Sequence, residues 1–186
     1  MKTGDVEKAL RLNQIMIEND FKLVKDCYPE VFSNIACLFG YKYQTSTETE
    51  SKKRYFNEAM TNFKTANSLI TNSPSLHFAF GNFLLTSKSS LNEVISHLKK
   101  ATIISQPRPD DEVLMQIDIF ESGTQSKSQN MYVDGRIAAL YLLTSIYIDT
   151  CDIYMARKCT HRIQKYVDTT ILTQKWSAHQ ILAVSL

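Results

Sequence analysis

At 186 residues with 44% apolar side chains, the chain is long enough for one domain with a continuous core. Five glycines and four prolines are too few for a strand-and-turn architecture, so long helices joined by short links are expected. A formal net charge of +2 makes nucleic acid an unlikely default partner, which would favour a clustered basic footprint.

Asp5 is a plausible N-cap for a helix whose apolar side carries Val6, Ala9, Leu10, Met16 and Ile17. Phe21 to Cys27 reads as a second, short helix. Pro29 suits the first turn of a third, running to about Tyr43. The polar stretch from Gln44 to Lys52 is expected to be an exposed loop. Helices follow over about Lys53–Thr71, Pro74–Thr86 and Leu91–Ser105. Asp110 and Asp111 could cap a helix over Glu112–Phe120, because acidic residues suit a helix N-terminus. The segment Glu121–Asn130 is expected to be the least ordered. Two strong helices, Tyr132–Asp149 and Asp152–Asp168, and a final apolar one from about Thr170, complete an all-α reading. The longest nearly apolar run, Ile137–Ile148, is too short to span a bilayer, which takes about 20 residues. No signal-like apolar segment follows Met1, so cytosol or nucleus is the expected location. Cys27, Cys37, Cys151 and Cys159 form no C-x-x-C and are expected to be buried or partly buried free thiols.

Some of these helices share a spacing. Phe32-x2-Ile35-Ala36-x2-Phe39 is answered by Ala59-x3-Phe63-x2-Ala66 and then Pro74. His77-x2-Phe80-Gly81-x2-Leu84 is answered by Val94-x3-Leu98-x2-Ala101 and then Pro107. Leu140-x2-Leu143-Thr144-x2-Tyr147 and Ala156-x3-Thr160-x2-Ile163 make a third pair. Small residues at Ala36, Ala59, Ala66, Gly81 and Ala101 would let paired helices approach closely, while Phe39, Phe63, Phe80 and Leu98 fill the space between neighbouring pairs. This pattern resembles the tetratricopeptide repeat, whose period is about 34 residues. The resemblance covers most of the chain outside residues 45–54 and 108–131. It implies one domain over residues 1–186, built as a right-handed superhelix of helix pairs. Insertions fall at about 44–54 and 108–131. Gly4 to Leu10 resembles the tail of a further unit, and Ser177-Ala178-x2-Ile181 a first helix without its partner, so a segment of a longer array is one expectation.

In the tetratricopeptide family the first helices line a concave groove that holds a peptide or a partner helix. The matching positions here are Ser33, Cys37 and Tyr41, then Phe78, Asn82 and Leu85, then Tyr141, Ser145 and Asp149. Chaperone-binding members grip a carboxylate with Lys, Asn and Arg. Only Asn82 matches such a set, so the aromatic positions point to an apolar or helical ligand. The resemblance implies a scaffold or adaptor and no enzyme, cofactor or metal. No zinc-protease, dinucleotide, phosphate-loop or nucleophile-elbow motif occurs, and His77, His97, His161 and His179 stand alone. Two alternatives remain. One is a structural subunit that self-associates through the apolar end Ile181–Leu186. The other is an RNA-binding module using the basic face of Arg157, Lys158, His161, Arg162 and Lys165.

Overall fold

The computed structural model describes residues 3–108, 111–119 and 127–171. The described residues are mostly helical. The elements are α1 (Thr3–Asn19), α2 (Phe21–Cys27), α3 (Glu30–Thr45), α4 (Thr49–Leu69), α5 (Pro74–Thr86), α6 (Leu91–Ile103), β1 (Glu112–Ile119), β2 (Lys127–Asp134), α7 (Gly135–Asp149) and α8 (Ile153–Ile171). They fall into two compact units, Met1–Thr71 with Asn82–Leu91, and Asn72–Gly81 with Asn92–Leu186. The division lies within α5.

In the first unit α3 and α4 pack along their lengths. Val31, Phe32, Ile35, Ala36 and Gly40 of α3 and Ala59, Phe63 and Ala66 of α4 are buried. Phe83 closes this core with its ring 5.5 Å from Phe63, 5.6 Å from Phe56 and 6.0 Å from Tyr43, separations at which aromatic rings attract. Gly40 admits that ring, since a Cβ there would stand 3.1 Å from Phe83 Cδ2. Helix α1 contacts α3, with Val6 and Leu10 buried. The Asp20 carboxylate accepts from Leu23 N at 2.9 Å and so opens α2. The loop expected over Gln44–Lys52 shrinks to Ser46–Glu48. The helical phase of Tyr55, Phe56 and Ala59 runs back through Lys52 to Thr49, and polar composition hid it.

In the second unit α7 and α8 pack against each other. Helix α7 is buried nearly all round, through Ile137, Ala138, Ala139, Leu140, Leu143, Thr144, Ile146 and Tyr147, as a core helix should be. Ala156, Cys159 and Ile163 are the buried side of α8. The first half of α5 meets α6 closely. A Cβ on Gly81 would sit 2.9 Å from Leu98 Cδ2, and the Phe80 and His97 rings are 4.1 Å apart. The small positions Ala36, Ala59, Ala66 and Ala101 show no exposed surface, consistent with the close-approach role expected of them.

The expected helix over Glu112–Phe120 is instead a strand. β1 and β2 form an antiparallel hairpin in which Glu112 faces Asp134 and Ile119 faces Lys127. Val113, Met115, Ile117 and Ile119 alternate with Glu112, Gln116 and Asp118, a period of two that the acidic pair before it obscured. Leu114, an exposed apolar residue, breaks the alternation and stands opposite exposed Tyr132. The segment expected to be least ordered contributes Lys127–Asn130 to β2, and α7 starts at Gly135, three residues later than expected. The final apolar helix lies outside the described residues beyond Ile171.

Helices α5 and α7 end alike. Lys88 and Cys151 take left-handed φ values of 57° and 60°. Ser89 N then reaches back to Leu84 O at 2.9 Å, and Asp152 N to Tyr147 O at 2.7 Å, which satisfies terminal carbonyls. Asp152 then opens α8 by accepting from Met155 N.

Gly135 is the tightest packing point. A Cβ there would lie 2.5 Å from Ser75 N and 2.8 Å from Pro74 C, both backbone atoms that cannot step aside. Gly135→Ala is therefore expected to cost about 2 kcal/mol or more in urea unfolding. Gly81→Ala should cost less, because Leu98 can change rotamer. Gly4→Ala, with nothing within 4 Å, should be neutral or mildly stabilising. Equal effects at Gly135 and Gly4 would contradict this packing.

Candidate partner-binding site

The predicted groove positions divide between the units. In the first, Ser33, Tyr41, Asn82 and Leu85 are half-buried and Cys37 is exposed. In the second, Phe78 is buried, Tyr141 is half-buried, and Ser145 and Asp149 are exposed. Phe78 thus has the burial of a core side chain. Tyr41 lines a small cavity of about 190 Å³ with Val6, Glu7, Lys42 and Tyr55.

Beside that cavity a larger recess of about 670 Å³ opens among α1, α3 and α4. Helix α1 supplies Glu7, Lys8, Leu10, Arg11 and Gln14, α3 supplies Phe39 and Lys42, and α4 supplies Arg54, Tyr55 and Glu58. The Phe39 and Tyr55 rings stack at 6.1 Å to form an aromatic wall. Four cations outnumber two carboxylates. Lys42 donates to the Glu7 carboxylate and lies 4.7 Å from the Tyr55 ring centre, and Arg54 lies 5.0 Å from the same ring. Arg54 also donates to the Tyr55 hydroxyl at 3.3 Å.

The Tyr55 phenol registers this positive surrounding. The Arg54 hydrogen bond lowers its pKa, partial burial opposes, and Lys42 adds to the lowering. Burial works against the Lys42 charge, but hydrogen bonds to Glu7 and Tyr55 outweigh it and raise the ammonium's pKa. Arg54 and Tyr55 fall within the helix expected from about Lys53, but the sequence carries no signal that they meet residues of α1 and α3.

Helix α1 carries a second feature next to the recess. Leu12, Ile15 and Met16 are 55%, 40% and 44% exposed. Their i, i+3, i+4 spacing puts them on one face, where apolar side chains normally meet a partner. At about 100° per residue, this face adjoins the one holding Lys8 and Arg11.

The basic positions Arg157, Lys158, His161, Arg162 and Lys165 are all exposed on α8. Arg162 is also anchored, donating to Thr102 O at 2.7 Å and to Thr102 Oγ1 at 3.2 Å. It therefore caps the C-terminal end of α6, where cations are favoured.

The cysteines depart from expectation. Cys27 and Cys151 are exposed and Cys159 is buried, while Cys37 keeps exposed surface although burial of its thiol pushes the pKa up to about 11. Burial raises the Cys159 thiol, with Arg162 and Lys99 pulling the other way. Among the described residues no group of three or more His, Cys, Asp or Glu is placed to hold a metal ion, and no helix is long and apolar enough to cross a membrane. Comparison with family models, curated proteins and solved structures finds no match.

His77 is buried and does not stand alone, since its ring lies 5.7 Å from that of His97. Burial, then His97 and Lys100, lower its pKa to about 4, and Asp111 only partly offsets them. Its folded pKa thus lies below the ordinary value of 6.5, so the unfolded chain binds the extra proton between those limits. Stability should fall as pH drops from 6.5 towards 4. In His77→Leu the slope of unfolding free energy against pH should be shallower by up to about 1.4 kcal/mol per pH unit. Identical slopes for the two proteins would refute the assignment.

Proposed function

We propose that the chain is a divergent tetratricopeptide-like scaffold, acting by binding and not by catalysis, and that the recess of its first unit receives an acidic amphipathic helix of a partner protein. The observation that carries this reading is the adjacency, on α1, of the exposed stripe Leu12, Ile15 and Met16 and the cation-rich recess. A helix with one apolar face and an acidic flank complements both at once. Its carboxylates would meet Lys8, Arg11, Lys42 and Arg54, and its apolar side would cover the stripe. The fold offers further support: α3 with α4 and α7 with α8 pack as pairs, and α5 meets α6 at Gly81.

The test is fluorescence anisotropy with a labelled helical peptide built from leucine on one face and glutamate beside it. Lys42→Glu with Arg54→Glu should weaken binding at least tenfold, and Leu12→Ser with Met16→Ser should weaken it comparably. Added salt should weaken the wild-type complex, since exposed charges are screened beyond about 8 Å at physiological ionic strength. A peptide that binds all variants equally would overturn the recess as the binding site. A lysine-for-glutamate peptide that binds as well would overturn the charge complementarity.

A further inference from the structure

The net charge of the chain is small, yet in the second unit it is unevenly placed. Between Ile153 and Tyr166, α8 carries Arg157, Lys158, Arg162 and Lys165 and no acidic residue. At about 100° per residue, Arg157, His161, Lys165, Lys158 and Arg162 occupy an arc of roughly 140°. Ala156, Cys159 and Ile163 face the opposite way and are buried. The same surface extends onto α6. Arg162 is bonded to Thr102, and Lys99 acts on the Cys159 thiol, so the exposed Lys99 borders the basic side of α8.

Near the middle of that arc stands Tyr154, 67% exposed, with the Lys158 ammonium 4.6 Å from its ring centre. A large aromatic side chain set among cations and open to solvent has a π-face available for stacking. The same helix cannot serve as an in-plane membrane anchor, because its apolar face is already buried in the protein. A merely acidic protein partner would use the cations but leave the aromatic ring without a role.

We infer that the outer face of α8, with the last turn of α6, binds single-stranded nucleic acid. Phosphates would contact Arg157, Lys158 and Lys99, while one base stacks on Tyr154. Arg162 is already engaged with Thr102 and holds the two helices in register beneath the strand. This surface is separate from the recess proposed for the partner helix, and neither inference depends on the other.

The test uses the full chain and three labelled probes: a short single-stranded RNA, a DNA of matched sequence, and polyglutamate. Anisotropy should report binding of one or both oligonucleotides and at least tenfold weaker binding of polyglutamate. With three phosphates neutralised, affinity should fall about twentyfold as salt rises from about 50 to about 200 mM. Arg157→Glu with Lys158→Glu should reduce affinity at least tenfold and flatten the salt slope. Tyr154→Ala should reduce affinity about tenfold, the low end of one base stack, while leaving the salt slope unchanged, and Tyr154→Phe should restore it. All three positions are exposed, and matching circular dichroism and melting curves would confirm that each variant is folded. The inference is overturned if folded charge-reversal variants bind as wild type does. It is also overturned if polyglutamate binds equally and Tyr154→Ala has no effect, which would mark the face as a surface for acidic proteins. A preference between RNA and DNA would identify the source of the strand.

Discussion

The buried start of α5 imposes the constraint on which the second unit is built. A helix N-terminus leaves amide donors without helical partners, and burial denies them water. Ser73 Oγ accepts from Leu76 N at 3.1 Å, and the Asp111 carboxylate accepts from Ser75 N at 2.8 Å. Asp111 is thereby fixed in place, and its backbone ties down two further segments, one of which is bonded in turn to Asn72. Its N–H donates to Arg108 O, Arg108 N donates to Asn72 O, and Asp111 O accepts from Gly135 N at 3.4 Å. Gly135 must then lie against the backbone of Pro74 and Ser75, which only a residue without a side chain permits. The junction explains how the unit tolerates a hairpin between α6 and α7. β1 leaves and β2 returns at one point, with Glu112 opposite Asp134, so the excursion does not separate the helices on either side. Asp134 then opens α7 by accepting from Arg136 N at 2.7 Å, and its carboxylate also holds the Arg136 guanidinium.

Charge is organised differently in the two units, although the sum for the chain is only +2. In the first unit, cations surround an aromatic wall inside a recess and are partly neutralised by Glu7 and Glu58. In the second they line the convex side of one helix, open to solvent. A recess with a neighbouring apolar stripe favours a folded segment with two distinct faces. A charged ridge carrying one exposed aromatic favours an extended polyanion. The same residue types would suit different partners, because burial and curvature set how many contacts each can make together.

Much of the helical content was legible in the sequence, because apolar periodicity is the strongest local signal. Pro74–Thr86 and Phe21–Cys27 came out at the observed bounds. The reading failed where composition outweighed periodicity. The polar start of α4 looked like a loop, yet its Lys52 and Tyr55 continue the phase of Ala59. The strand Glu112–Ile119 looked helical because Asp110 and Asp111 resemble a cap. Asp111 is indeed a cap, but for α5, a helix that begins 37 positions earlier at Pro74. Nothing local reveals such a long-range partner. The basic face of α8 was visible as spacing alone. The recess was not, because its residues come from three helices, and sequence order cannot say which of them meet.

On the proposed reading the chain works by binding, with the cation-rich recess of α1, α3 and α4 as the seat of a partner helix. The most direct measurement is amide chemical-shift mapping during titration with an acidic amphipathic peptide. The largest shifts should fall on residues 7–16, on Phe39 and Lys42, and on Arg54, Tyr55 and Glu58, while α8 stays unperturbed. Shifts confined to α8, or none on the recess at saturating peptide, would contradict it.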